Sequence, residues 1–155
     1  MNDTTTPSTS ASGLGEVTIV RVYNAPRELV FECMITPEHL THFWGPIGVS
    51  TPLETIEIDA RPGGVFKTVM VNDENGEQYP TSGVFTEVDP PSKLVWIEPE
   101  VEGGMTNTSY FKDLGDGRTE VTIHQTNVPE MYRSPEAQAG MQSSLDKFAA
   151  YVEAL

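Results

Sequence analysis

The stretch "ITPEHLTHFWGP", Ile35 to Pro46, concentrates the side chains best suited to chemistry: Glu38, His39, His42, Phe43 and Trp44. His39 and His42 sit at i and i+3, one face of a helix, a spacing compatible with a metal. A metal site needs further ligands, and the only other histidine, His124, falls on a separate strand. No HExxH motif and no cysteine pair is present, and two histidines at helical spacing are a weak signal. We therefore read His39 and His42 as a solvated helix face. The single cysteine, Cys33, lies on an apolar helix stripe with no cation beside it. A nucleophilic thiolate needs an electropositive setting, so Cys33 reads as an inert buried thiol.

Carboxylates are plentiful but scattered. Glu54, Glu57 and Asp59 run along one strand edge, and Asp113 and Asp116 flank a turn. A general acid needs burial beside a partner, and these positions read as solvated. Arg61, just before Pro62-Gly63-Gly64, is placed to pair with Asp59 and hold that turn. For acid–base work only Gln125, Tyr110 and His124 remain as raw material, so no catalytic constellation is expected.

Binding is better provided for. Phe43 and Trp44 end a short helix at a Gly-Pro stop, where large rings can plug the fold or touch a ligand. On the last strand Val121, Ile123 and Gln125 share one face, and Thr122, His124 and Thr126 the other. If the valine and isoleucine face inward, Gln125 is an amide near the interior and needs a hydrogen-bond partner; His124 then faces solvent. In "MTNTSYFKD" either Met105, Asn107, Ser109 and Phe111 or Thr106, Thr108 and Tyr110 face inward. Both sets are amphipathic, which favours a ligand with a few polar atoms, such as a polyphenol, polyketide or small sterol-like molecule, over a bare alkyl chain.

The elements that position these residues follow from period and punctuation. The chain has 155 residues, net charge −14 and one cysteine. That length suits one domain able to bury a core without disulfide or metal. The acidity disfavours nucleic acid and anionic lipid as partners. No apolar run reaches a membrane span. The start, residues 1–15, has neither the charge nor the apolar core of a secretory signal and is expected to be a disordered tail, the protein cytoplasmic. Residues 16–155 are expected to form one domain. "EVTIVRVY" alternates as a strand. Asn24 is expected to cap a helix with Leu29, Val30, Cys33 and Met34 as its apolar stripe, and Thr36 a second, short helix. Six strands follow, beginning with "PLETIEID", linked by turns such as Asn75-Gly76 and Asp116-Gly117. A final helix, capped by Ser134 with Pro135 at its first position, carries Met141, Leu145, Phe148, Val152 and Leu155 at spacings of three and four. The expected fold is α+β: a curved, seven-stranded antiparallel sheet wrapped around a long C-terminal helix, with two short helices between strands 1 and 2. A bent sheet gripping one helix leaves an apolar cavity, the usual place for a ligand.

With these elements placed, "APRELVFECMITPEHLTHFWGP", "IDARPGGVFKTVM", "GEQYPTSGVFTEVDPPSKLVW" and "GRTEVTIHQT…SSLDKFAAYVEAL" resemble the activator-of-heat-shock-protein-90-ATPase homologue family. That family lies within the START-like, helix-grip superfamily, also called SRPBCC. The resemblance spans Glu16 to Leu155 and implies an apolar pocket under the long helix. Fold alone does not choose among the superfamily's functions. The reading is non-enzymatic binding of a small hydrophobic or aromatic ligand, with no cofactor or metal. The pocket is expected to be lined by Val30, Phe43, Trp44, Phe66, Phe85, Trp96, Tyr110, Gln125, Met141 and Leu145. The alternatives are a cochaperone-like interaction module acting in stress response, with a chaperone as partner, and a cyclase- or hydrolase-like enzyme using the same pocket. Monomer and homodimer both remain open.

Overall fold

The computed structural model describes residues 4–9, 14–101 and 103–155. In chain order the elements are β1 (Thr4–Thr9), β2 (Gly15–Tyr23), α1 (Arg27–Ile35), α2 (Pro37–Leu40), β3 (Val49–Ser50), β4 (Glu57–Ile58), β5 (Val65–Asn72), β6 (Gln78–Asp89), β7 (Lys93–Glu98), β8 (Met105–Asp113), β9 (Thr119–Val128) and α3 (Pro135–Glu153). Single 3-10 turns occupy Leu53–Thr55 and Glu130–Tyr132. All nine strands join one antiparallel, curved sheet in the order β1-β2-β9-β8-β7-β6-β5-β3, with β4 also paired to β5. The helix-grip arrangement is therefore present, with nine strands rather than seven.

Two differences account for the count. Thr4–Thr9, within the stretch expected to be a tail, is a strand whose backbone pairs with β2 from Thr4↔Val20 to Thr9↔Gly15. Side-chain composition carries no trace of this, because ladder hydrogen bonds belong to the backbone. The rest of that expectation, residues 1–3 and 10–13, lies outside the described residues. The second added strand is β3, Val49–Ser50, which precedes "PLETIEID" and pairs with Asn72 and Val71 of β5; the strand expected at "PLETIEID" is itself interrupted. Thr55 turns its hydroxyl onto the β5 edge, 3.3 Å from both the Val69 carbonyl oxygen and the Val69 amide. A side chain thus occupies the place of a ladder partner, and only Glu57–Ile58 pairs beyond it.

Two of the three expected caps also differ. Pro26 is the N-cap of α1, without a side-chain bond, while the Asn24 amide donates to Glu153 Oε2 at 3.0 Å. Thr36 stands at the N-cap of α2, but its Oγ1 donates backward to the Glu32 carbonyl at 2.7 Å and makes no side-chain cap bond. Ser134 does cap α3, its side chain accepting from the Ala137 amide at 3.1 Å. The Arg61–Asp59 pair forms at 2.8 Å beside Gly63, whose φ of +85° a glycine adopts without strain. At Gly64 a Cβ would fall on the Asp59 carbonyl oxygen, so the second glycine of that turn is fixed by close approach.

The buried side chains form two clusters, a smaller one of Val17, Ile19, Met105, Val128 and Leu145 and a larger aromatic one. Tyr23, Phe31, Phe43, Phe111, Phe148 and Val152 pack in the latter as buried side chains, Phe148 lying 4.5 Å from Phe43 and 4.9 Å from Tyr23, centroid to centroid. Along α3 the first buried residue is Leu145. Leu155, expected on the apolar stripe, lies past the helix end and is exposed. Arg21, on the inward face of β2, is buried and reaches α3 through Asp146 at 2.9 Å.

Candidate functional site

Between the sheet and the first half of α3 lies a cavity of about 830 Å³, within the range of small-molecule sites. Its walls come from nearly every element. β7 contributes Leu94, Trp96 and Glu98; β8 contributes Met105, Asn107 and Ser109; β9 contributes Val121, Ile123 and Gln125. Each trio is a run of alternate residues, so one face of the sheet forms the floor. Met34, Phe43, Trp44 and Met70 close one side, and Ala137, Gly140, Met141, Ser144 and Leu145 form the roof.

The aromatic part of the floor is layered. Trp96 lies 4.6 Å from Phe66 and 6.4 Å from Trp44, and Trp44 meets Phe66 edge-on at 5.2 Å. Gly83 makes room for this, since a Cβ there would come within 2.6 Å of the Trp96 ring. Lys147 ties the adjoining loop to α3, its ammonium donating to the carbonyls of Gly45 at 3.0 Å and Val49 at 3.3 Å.

A polar line crosses the floor. Gln125 Nε2 donates to Asn107 Oδ1 at 2.8 Å, and Asn107 Nδ2 donates to Glu98 Oε2 at 3.3 Å. Burial raises the Glu98 pKa above its ordinary value, and the Asn107 bond opposes that shift by favouring the carboxylate. Among the described residues no lysine or arginine forms an ion pair with Glu98. Cys33 is buried outside the cavity lining, its thiol pushed up to about 11 by burial and then by Glu32. Among the described residues no group of three His, Cys, Asp or Glu gathers as metal ligands would.

A sequence model of the Activator of Hsp90 ATPase homolog 1-like proteins matches residues 24–153. The chain belongs to this family. Solved structures agree in fold. Protein CV1439 from Chromobacterium violaceum is 27% identical, with a TM-score of 0.81 over 89% of this chain and 97% of that one. A Mycobacterium smegmatis protein, 22% identical, superposes at 0.78 over 99% of both chains. The AHSA1 protein of Silicibacter pomeroyi, 24% identical, covers 87% of this chain and 95% of its own at 0.71. At 22% and 24% identity the last two show the fold alone. Among curated proteins none matches the chain at a significant level.

In this family member, seven of the ten expected lining residues border the cavity: Phe43, Trp44, Phe85, Trp96, Gln125, Met141 and Leu145. Three do not. Val30 is wholly buried in the core and does not reach the cavity. Phe66 is one layer too deep, behind the tryptophans. Tyr110 stands on the outer face, 44% exposed, with Lys93 Nζ 5.4 Å from its ring centroid. Register explains the last case. Asn107 pairs with Gln125 and Phe111 with Val121, so the inward set on β8 is Met105, Asn107, Ser109 and Phe111.

Glu98 was the residue to find. It follows Trp96 by two, and period two puts both on one face. The histidines also differ from a plain solvated face. His42 is exposed, but its ring stacks on Tyr151 at 5.0 Å; His39, half-buried, shares a 2.6 Å hydrogen bond between Nδ1 and the Tyr151 hydroxyl. They fasten α2 to the end of α3. Among the described residues no helix is long and apolar enough to cross a membrane.

Proposed function

We propose that this chain binds a small, largely hydrophobic or aromatic molecule in the cavity under α3 and does not transform it. The observation that carries this reading is an 830 Å³ space with aromatic and methionine walls, crossed by a single hydrogen-bonded line from Gln125 through Asn107 to Glu98. A few convergent polar groups in an apolar hollow orient a ligand. Chemistry on that ligand is less well supported. Among the described residues no histidine lines the space, and Cys33 lies outside it with its thiol held protonated. Polyphenol- and polyketide-like molecules fit the mixture of rings and amides.

The test is native mass spectrometry of protein purified gently from its own host, joined to thermal unfolding in the presence of quercetin, of a naphthyl amine and of a fatty acid. A co-purifying small molecule, or a raised midpoint, supports the reading. A ligand at a hundred times its Kd adds about 2.7 kcal/mol. Ligand-free protein with an unmoved midpoint for every compound rejects it. The family description favours a second reading, a chaperone-interaction module, which predicts that the purified domain stimulates the ATPase of its host's heat shock protein 90.

A further inference from the structure

The cavity's polar groups are one-sided. Among the described residues no lysine, arginine or histidine lines it. Its polar lining includes the carboxylates of Glu98, Glu100 and Glu136 and the amides of Asn107, Gln125 and Gln138. Glu100 and Glu136 are exposed and stand at the solvent edge, whereas Glu98 is half-buried.

The hydrogen bonds among the amides are directional. Gln125 gives an N–H to Asn107, and Asn107 gives an N–H to Glu98, so both dipoles run toward the carboxylate. That order stabilises negative charge on Glu98. The charge meets no protein cation among the described residues. A partly desolvated carboxylate of this kind gains most from a cationic donor. Trp96 lies two residues earlier on the same strand face, about 7 Å away along β7, and Trp44 lies beyond it. Aromatic faces beside a carboxylate are the surroundings an ammonium group prefers.

The chain's formal charge of −14 adds a field that draws cations and repels anions.

We infer that the ligand is a hydrophobic amine, whose protonated nitrogen is received by Glu98 and whose aromatic or aliphatic body fills the space between Trp44, Trp96 and Met141. This rests on the binding reading above and narrows it. It excludes fatty acids and other hydrophobic carboxylates, whose head would face Glu98 with like charge.

Three probes of nearly equal shape separate the two readings: 2-naphthylmethylamine, 2-naphthylmethanol and 2-naphthoate, titrated calorimetrically into the full chain at neutral pH. The amine is expected to bind about tenfold or more tighter than the alcohol, the factor one charge-assisted hydrogen bond supplies, and the naphthoate weakest. In Glu98→Gln the amine-to-alcohol ratio is expected to fall to within about twofold. An alcohol that binds as well as the amine, or a Glu98→Gln protein that keeps the full ratio, overturns the amine assignment and leaves the cavity reading standing. No binding by any probe overturns both. Should Glu98→Gln fail to fold, the order of the three probes on the unaltered chain decides.

Discussion

The two halves of α3 do opposite work. From Phe148 onward the helix is pressed into rings: Phe148 and Val152 are fully buried, and Tyr151 is held by both His39 and His42. Before Leu145 no residue of the helix is buried, and Ala137, Gly140, Met141 and Ser144 face open space. One regular element thus serves as anchor at its end and as roof at its start. Stability and binding are divided along its length, so substitutions in the two halves should sort into different classes of effect.

The largest effect is expected at the anchor. Phe148→Ala removes a ring wedged between Phe43 and Tyr23 and should cost about 3–5 kcal/mol in chemical denaturation. A cost below about 1 kcal/mol would erase the distinction between the halves. Next is the floor beneath the roof. Gly83→Ala puts a methyl group 2.6 Å from the Trp96 ring. It should cost about 1–3 kcal/mol by overpacking and shift the indole toward the cavity, which weakens binding of any occupant.

The roof itself should respond in the opposite direction. A Cβ at Gly140 meets only Pro46, at 3.5 Å, an ordinary contact. Gly140→Ala is therefore expected to raise stability by about 0.5–1 kcal/mol, the helix-propensity difference. A loss instead would mean that the first half of α3 is as tightly fitted as the second. Hydrogen exchange sharpens the same contrast: amides within the roof half should open well below the global unfolding free energy, and those around Phe148 only near it.

The smallest effect is electrostatic. Because burial raises the Glu98 pKa in the folded state, the folded protein keeps that proton to higher pH than the unfolded chain does. Stability then falls as pH rises from 4.5, the ordinary value, to the raised one, and stays lower above it. Glu98→Gln should remove that fall, seen as a flatter stability profile across mildly acidic pH. An unchanged profile would place the carboxylate in free solvent.

What the sequence made legible follows one rule. Positions governed by alternation within a strand were readable: Gln125 shares its face with Val121 and Ile123, and all three line the cavity. Ser134 and the Arg61–Asp59 turn were readable because their partners are two or three residues away. Positions set by pairing between strands were not. The outward turn of Tyr110 follows from its register opposite Thr122, which no local pattern states. Val30 and Phe66 were correctly read as interior, but the sequence does not say how deep an interior side chain lies, and neither reaches the cavity wall. The His39–Tyr151 bond spans 112 positions and depends on where two helices meet. Glu98 is the exception, since the period that placed Trp96 inward applied equally to it.

Trp44 and Trp96 are the chain's only tryptophans, and both border the cavity. The protein therefore carries its own emitters at the place where an occupant would sit. Their intrinsic fluorescence, excited near the red edge of protein absorption, should register an arriving molecule directly, without a label and without contributions from indoles elsewhere.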